Sequence, residues 1–522
     1  MIKCNSDKNC SFKECFFCFG TVLLWSFIAH GFVFFNGTFS HDSLNEFDAE
    51  YFGNSWKIQL GRVFVPAYRF IARDMVTMPW IIGILSLVFI GITLILIVKI
   101  FDIKSYVQIA IISGVLTVNI TVISQAATYI NDLDCNMLAL LMATLAVYLW
   151  KKYKCGYLLG MIPVAVSLGL YQSYISVIIM LILICCILYL LECCEFLQVL
   201  KCGIRSLVMI VGGGVLYFIS MKTILLITDL SLVKGEYNSL DSPFGNFSVS
   251  FLSLVKNEYI YTLQELITVP SAYPHRLIVL AHVVIICGAG ILIIYRLFSK
   301  QIGIKEKVLV LVLIFIMPIG MNVSYIISGG MSHDLMHYAL WLVYLFIVLI
   351  AGTIEYNGKY NIRRMVKRIP NILLMLIVVV IVWGNVQLAN EVYMKKSIEK
   401  EENIAYFNRV IYSLENYEEY EKDRLVAFIG TPAEKIKRIP GFESAYQLTG
   451  SDNPYMLGGT NTNRCRAFFS YVLPYNINLL DEESRVILMK SDEVKDMPNY
   501  PDEGSIKTVG DVIVVKLGDV EN

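Results

Sequence analysis

Long apolar runs separated by short polar stretches fill the chain as far as Leu388, after which the pattern becomes that of an ordinary water-facing protein. Eleven runs have the character of a membrane span: Phe16 to Phe35, Trp80 to Ile100, Ser105 to Ser124, Cys135 to Trp150, Gly156 to Tyr171, Ile175 to Leu191, Ser206 to Ile227, Leu277 to Phe298, Val308 to Ile327, Tyr338 to Ile354 and Ile372 to Leu388. A run of about 20 apolar residues crosses a bilayer as a helix, because each backbone polar group must find its partner within the segment. The pattern predicts an α-helical polytopic membrane protein over residues 1–388, with about eleven transmembrane helices, followed by a soluble domain over 389–522. In that domain, 391–424 reads as helical, and Leu425 to Gly430, Val486 to Lys490 and Asp511 to Lys516 read as short strands, a small α/β arrangement.

Orientation follows from the Lys and Arg of the connecting loops. With the N-terminus inside, the clusters at Lys99 and Lys104, Lys151 to Lys154, Lys201 and Arg205, Arg296 to Lys307, and Lys359 to Arg368 are cytoplasmic. The alternate loops 125–134, 171–174 and 328–337 contain neither residue. Loops 37–79, 125–134, 228–276 and 328–337 are therefore expected outside, together with the C-terminal domain. Phe16 to Phe35 exceeds a secretory h-region and lacks a small-residue cleavage site, so it is expected to be a retained span.

The longest hydrophilic interruption among the early spans is SHDSLNEFDAEYFGNSWKIQLGRVFVPAYRFIARD, Ser40 to Asp74. It places Asp42, Glu46, Asp48 and Glu50 ahead of Arg62, Arg69 and Arg73. From Ser55 onward its residues fit a helix with Trp56, Leu60, Val63, Phe64, Ala67, Phe70 and Ile71 on one side, and the three arginines within ~40° of one another on the other. Pro66 is expected to kink or divide that helix. Two readings fit: an interfacial anchor whose arginines meet lipid headgroups, or a set of guanidinium groups that hold a phosphate.

The next outer loop, QAATYINDLDCN, carries Asp132 and Asp134 directly before an apolar helix. One acid there can cap the helix; if the segment is extended, both point the same way, toward the cavity that Asp42 faces. Lys222 lies inside the seventh run, where it either serves a site or snorkels to the headgroups. Before the tenth run, His333, Asp334 and His337 spell H-D-x-x-H, which on a helix puts both imidazoles on one face. That is a weak relative of a zinc-protease motif without a third ligand; lining of the outer cavity by His333 and His337 is the preferred reading.

Composition agrees: 56% of residues are hydrophobic, 16% are charged and the mean hydropathy is +0.62, too apolar for one soluble core. A net charge of zero gives no sign of a nucleic-acid partner. Thirteen Cys include only Cys465 clearly outside, so disulfides are not the framework, and the N-terminal Cys4, Cys10, Cys15 and Cys18 match no common zinc spacing.

SHDSL, LGRVFVPAYR, PWIIGILSL, ATYINDLDCNMLALLMATLAVYL, GYLLG and LGLYQSYIS together resemble the GtrII-like bacterial glucosyltransferases that modify O-antigen, over approximately Thr38 to Ser176. Such proteins are similar to GT-C glycosyltransferases, which use a polyprenyl-phosphate sugar on the outer side of the cell membrane. The resemblance maps Asp42 to the acid of the first loop, Arg62 to the Gly-Arg motif, and Asp132 and Asp134 to the acids of the second. It also implies a polyprenyl-phosphate glucose donor, a cell-surface glycan acceptor, a separate synthase that charges the lipid and a flippase that turns it outward.

The residues suit that chemistry. A sugar hydroxyl is a poor nucleophile and needs a carboxylate to take its proton, for which Asp42 is chosen, with Asp132 and Asp134 as further catalytic candidates. The leaving lipid phosphate needs cations, for which Arg62, Arg69, Arg73 and Lys222 are candidates. Attack opposite the phosphate predicts inversion, and a monophosphate donor requires no cofactor and no metal. A transporter or flippase of a lipid-linked saccharide would instead show repeated halves and polar groups near the bilayer midplane, and a non-catalytic assembly protein would have dispensable acids.

Overall fold

The computed structural model describes residues 11–47, 54–192, 195–233, 251–268, 276–299, 302–330, 332–352, 362–432 and 435–519. Asp48, Glu50 and residues 234–250 and 269–275 of loop 228–276 lie outside them.

The first long helix, α1 (Phe12–Asn36), starts at a capping box between Ser11 and Glu14 and ends on Gly37. Three short helices follow, α2 (His41–Asn45), α3 (Trp56–Gln59) and α4 (Val65–Ala72), before α5 (Pro79–Phe101). Next come α6 (Tyr106–Thr117), α7 (Ile120–Thr128), α8 (Ile130–Lys152), α9 (Gly156–Leu159), α10 (Met161–Leu170) and α11 (Ile175–Leu191). Then follow α12 (Phe196–Thr228), α13 (Phe251–Thr268), α14 (Arg276–Ser299), α15 (Ile304–Met321), α16 (Val323–Ile327), α17 (Leu342–Gly352) and α18 (Ile362–Glu415).

Each apolar run of the sequence falls on one of these helices or on a pair of them. Among the described residues seven helices are long and apolar enough to span a membrane alone, and the bent pair α6 and α7, at 41° to each other, makes an eighth. The remaining runs are carried by the shorter apolar stretches Gly156–Leu170 and Tyr338–Gly352 and by α15 with α16. This is a polytopic helical membrane protein with a small α/β part at its C-terminus.

The break between α6 and α7 lies inside the bundle, where freed backbone groups need partners. Asn119 supplies several: its carbonyl accepts from Val122 N, and its amide donates to Val115 O and Leu116 O. Tyr338 donates to Leu116 O at 2.7 Å, Asn385 to Val118 O at 3.0 Å, and His30 Nε2 to Thr117 O at 3.0 Å. Because Nε2 donates, His30 Nδ1 accepts, and Tyr393 O–H faces it at 2.7 Å. Helix α7, buried along its whole length, thus leaves the break at a fixed angle and delivers Tyr129 to the start of α8.

Helix α18 runs on past Leu388 without interruption, so the change in composition there is not a break in the chain. Its far end packs into a second core with α19 (Thr462–Ala467) and with β1 (Leu425–Ile429) and β3 (Val512–Lys516) of a three-stranded sheet whose remaining strand is β2 (Ile506–Val509). The order is β1-β3-β2, with β1 parallel to β3 and β2 antiparallel to it. The strand expected at Val486 to Lys490 is instead mostly the end of α20 (Glu482–Met489). Asp481 caps that helix by accepting from Ser484 N, and two glutamates occupy its first turn, local signals that outweigh the short apolar run. The short helix α21 (Asp492–Lys495) follows.

Candidate active site

Helix α2 is held from both sides. Ser40 caps it, and the hydroxyls of Ser40 and Ser43 both donate to Thr128 O at the end of α7. Leu44, on the other side, is fully buried in the C-terminal core with Phe407, Phe428 and Phe468. Asp42 between them is 27% exposed and lies 3.2 Å from His41 Nε2. Burial disfavours its charge, but hydrogen bonds from His41 and from the Tyr129 hydroxyl, with the positive charges of His41 and Arg464, outweigh burial and hold the carboxyl below its ordinary value.

Beside α2 lies a buried ionic cluster. Asp132 Oδ2 takes Lys57 Nζ at 2.7 Å and Arg62 Nη1 at 3.2 Å, while Asp132 Oδ1 takes Arg69 Nη2 at 2.7 Å. Glu46 bridges Lys57 and Arg69. Arg73 Nε meets Asp134 Oδ2 at 2.6 Å, Tyr68 donates to the same oxygen at 3.1 Å, and Arg69 and Arg73 both donate to Asn131 O. Four cations face three carboxylates, which leaves one positive charge in excess. Arg62 is the most exposed of the four; its guanidinium lies 4.4 Å over the Tyr171 ring, and its charge acts on Tyr129.

Local sequence explains the placement of Arg62. Gly61, at φ +75°, makes a turn that a side chain would strain, and this turn separates α3 from α4, which starts with Pro66 in its first turn. Tyr217 and Gln172 donate to the carbonyls of Gly61 and Leu60 and fix that turn. The amphipathic stretch is divided, as expected, but the break falls at the Gly61 turn that carries Arg62, and Pro66 lies in the first turn of the second helix. The arginines do not meet headgroups: Arg69 and Arg73 point into the protein, while Phe70 and Ile71 are 77% and 83% exposed.

Asp132 and Asp134 are not in an extended loop. They belong to the first turns of α8, which begins five residues earlier than the apolar run, and Tyr129 precedes it without a side-chain cap. Both acids reach sideways to cations, so neither serves as the cap. Lys222 stands on the exposed side of α12 with its ammonium 5.6 Å from the Phe218 ring centroid, whereas the buried side of that helix presents Tyr217 to the Gly61 turn. His333 and His337 do not share a helical face: Asp334–Met336 is a 3-10 turn, His333 is extended, and His337 turns to Ser332 and Tyr261.

Sequence reasoning missed His41, Lys57, Tyr129, Arg464 and the contacts of the C-terminal part. His41 and Lys57 sit in the quoted loop and Tyr129 in ATYINDLD, so their positions were available as signals. Arg464, which bonds Asn45 Oδ1 at 3.2 Å, and Gly458, against the His41 ring, are more than 400 residues distant and carry none.

The fold and this assembly define a membrane protein whose candidate active site lies where short helices of one loop, the α7–α8 junction and the C-terminal part meet at one end of the bundle. The sequence profile of the family described as Glucosyl transferase GtrII matches residues 31–350, and the chain belongs to that family. It is accordingly a membrane glucosyltransferase, and the matched region contains Asp42, the whole ionic cluster and Tyr129. No curated protein and no solved structure matches the chain.

Proposed function

We propose that the protein transfers glucose, with inversion, from polyprenyl-phosphate glucose to a cell-surface glycan on the outer side of the bacterial cell membrane. The observation that carries this reading is that Asp42, held in its charged form, and Arg62, the most exposed cation of the cluster, both act on Tyr129. Asp42 accepts the proton of the acceptor hydroxyl as its oxygen bonds to the anomeric carbon. The bond from that carbon to the phosphate oxygen breaks on the opposite side, its electron pair stays on the phosphate, and Arg62 stabilises the added charge. Asp132 and Asp134 act through the cations they hold: they position Arg62, Arg69 and Arg73 rather than touching the sugar.

The side of the membrane is argued from charge. The site gathers loops poor in Lys and Arg, apart from its own paired cations, while Lys99 and Lys151 to Lys152 mark the opposite ends of α5 and α8. A donor synthase facing the cytoplasm and a flippase would supply the charged lipid. The test is transfer by purified protein from polyprenyl-phosphate glucose to candidate glycans, wild type against Asp42→Asn. Donor binding should persist in the variant while transfer falls by ~100-fold or more, the usual scale for losing a general base. Transfer at the wild-type rate would overturn the role of Asp42.

A further inference from the structure

Away from the ionic cluster, a carboxylate oxygen of Glu265 on α13, a carboxylate oxygen of Asp334 and a ring nitrogen of His337 lie within 4.8 Å of one another. Nothing in glucosyl transfer as derived above uses them. Their surroundings are unusual for two neighbouring acids. Among the described residues neither carboxylate has an ion pair, Glu265 has no hydrogen-bond partner, and the charged group that bears on it is Asp334. Two adjacent anions without a compensating cation repel each other, and a bound cation removes that cost.

The imidazole gives a second, independent indication. His337 is 5% exposed, and its Nε2 lies 2.6 Å from Ser332 Oγ. Ser332 in turn donates to Asn322 Oδ1 at 3.2 Å, which also accepts from Ser324 at 2.9 Å. With its one proton directed to Asn322, Ser332 accepts from His337 Nε2–H, and Nδ1 keeps a lone pair that meets no hydrogen-bond donor among the described residues. This relay, in which one ring nitrogen is fixed by an outer hydrogen bond and the other is left bare, is how metal-binding histidines are held.

We propose that Glu265, Asp334 and His337 bind a divalent transition-metal ion, with two carboxylates and one imidazole as ligands, a set suited to Zn2+ or Mn2+. Donors around such an ion stand about 3.4 Å apart when each bond is about 2.1 Å, so the triangle contracts on binding, chiefly through the flexible side chain of Glu265. Asp334 already joins three parts of the protein: Oδ2 accepts from the Thr449 backbone and hydroxyl, both at 3.1 Å, and its main-chain carbonyl accepts from Thr121 of α7 at 2.7 Å. A metal bridging Asp334 to Glu265 therefore fastens α13 to α7 and to the C-terminal part.

The test uses full-length protein, purified in detergent and stripped with a chelator, then titrated with Zn2+ and Mn2+ separately by calorimetry. Wild type should take up one ion per chain and unfold at a higher temperature with the ion bound, and hydrogen exchange across 251–268 should slow. Glu265→Gln, a conservative change on a half-buried residue, should match the stripped wild type in stability yet bind at least tenfold more weakly. His337→Gln should lose binding as well, while Asp42→Asn should bind normally. The proposal is overturned if neither ion binds to wild type, or if Glu265→Gln binds as wild type does.

Discussion

The hydroxyl of Tyr129 faces the carboxylate of Asp42, which relates the junction of α7 and α8 to the short helix that precedes them by some eighty residues. This contact favours the charged carboxylate. Tyr129→Phe removes it while preserving the ring, so the folded-state pKa of Asp42 rises from its depressed position. The base form is then lost at a higher pH: the acid limb of the transfer-rate profile should move up in pH and the alkaline limb should stay. The carboxylate starts below its ordinary value, so it stays ionised at neutral pH in both proteins, and the rate there should change little while the acid limb moves. An unshifted acid limb in a pH–rate series would dissociate Tyr129 from the base.

Arg62 and Arg69 share Asp132, but their substitution should fail in different ways. Lys at position 62 keeps a charge and loses the planar fork, so Arg62→Lys should lower kcat/KM at least tenfold with little change in Tm. Arg69→Ala leaves Glu46 and Asp132 without their shared guanidinium inside the protein and should cost about 3–5 kcal/mol of stability. Thermal unfolding in detergent beside a transfer assay separates the two. A destabilised Arg62→Lys with normal turnover would make Arg62 a structural group.

Gly458 brings the C-terminal part against the site. Its φ is +67°, and a Cβ there would stand 2.7 Å from His41 Cγ. Gly458→Ala should cost about 1–2 kcal/mol from the left-handed backbone alone, and displacement of His41 should reduce transfer further. A Gly458→Ala protein with wild-type turnover would show that His41 need not stay where it is.

The proposed orientation has its own measurement. Single cysteines introduced at Asn54 and Glu503 should react with an impermeant thiol reagent applied to intact cells, whereas those at Lys152 and Asn361 should react only after lysis. Labelling at Lys152 in intact cells would reverse the assignment.

The helices were readable because a bilayer demands long apolar runs, and α5, α11 and α14 follow those runs nearly residue for residue. The acids and arginines of the candidate site were readable as unusual charges between two spans. Their pairing was not: whether Arg69 meets a headgroup, a phosphate or Asp132 depends on how α4 lies against α8, and helical periodicity carries no information about that. The same limit hid the role of Leu44, whose neighbours in the C-terminal core come from the other end of the chain. The α6–α7 break was obscured for another reason. Its cost is met by side chains of α1, α18 and the turn before α17, so Asn119 inside an apolar run looked like part of one span.

Helix α18 comprises 54 residues, about 80 Å at about 1.5 Å per residue, and a bilayer core takes up only about 30 Å of that. On the stretch beyond, Lys396 donates to Gly450 O, Lys395 to Ser451 Oγ and Asn403 to Pro454 O, so the segment leading to Gly458 is seated directly on its surface. A helix transmits rotation as well as length. Each residue added or removed between Asn385 and Lys395 would turn everything beyond it by ~100° as well as shifting it by about 1.5 Å, which swings Gly458 and Arg464 off the axis of α2. The C-terminal part is thus keyed in angle to the bundle, and the register of one helix, with no contact at the sugar, sets whether the site closes around Asp42.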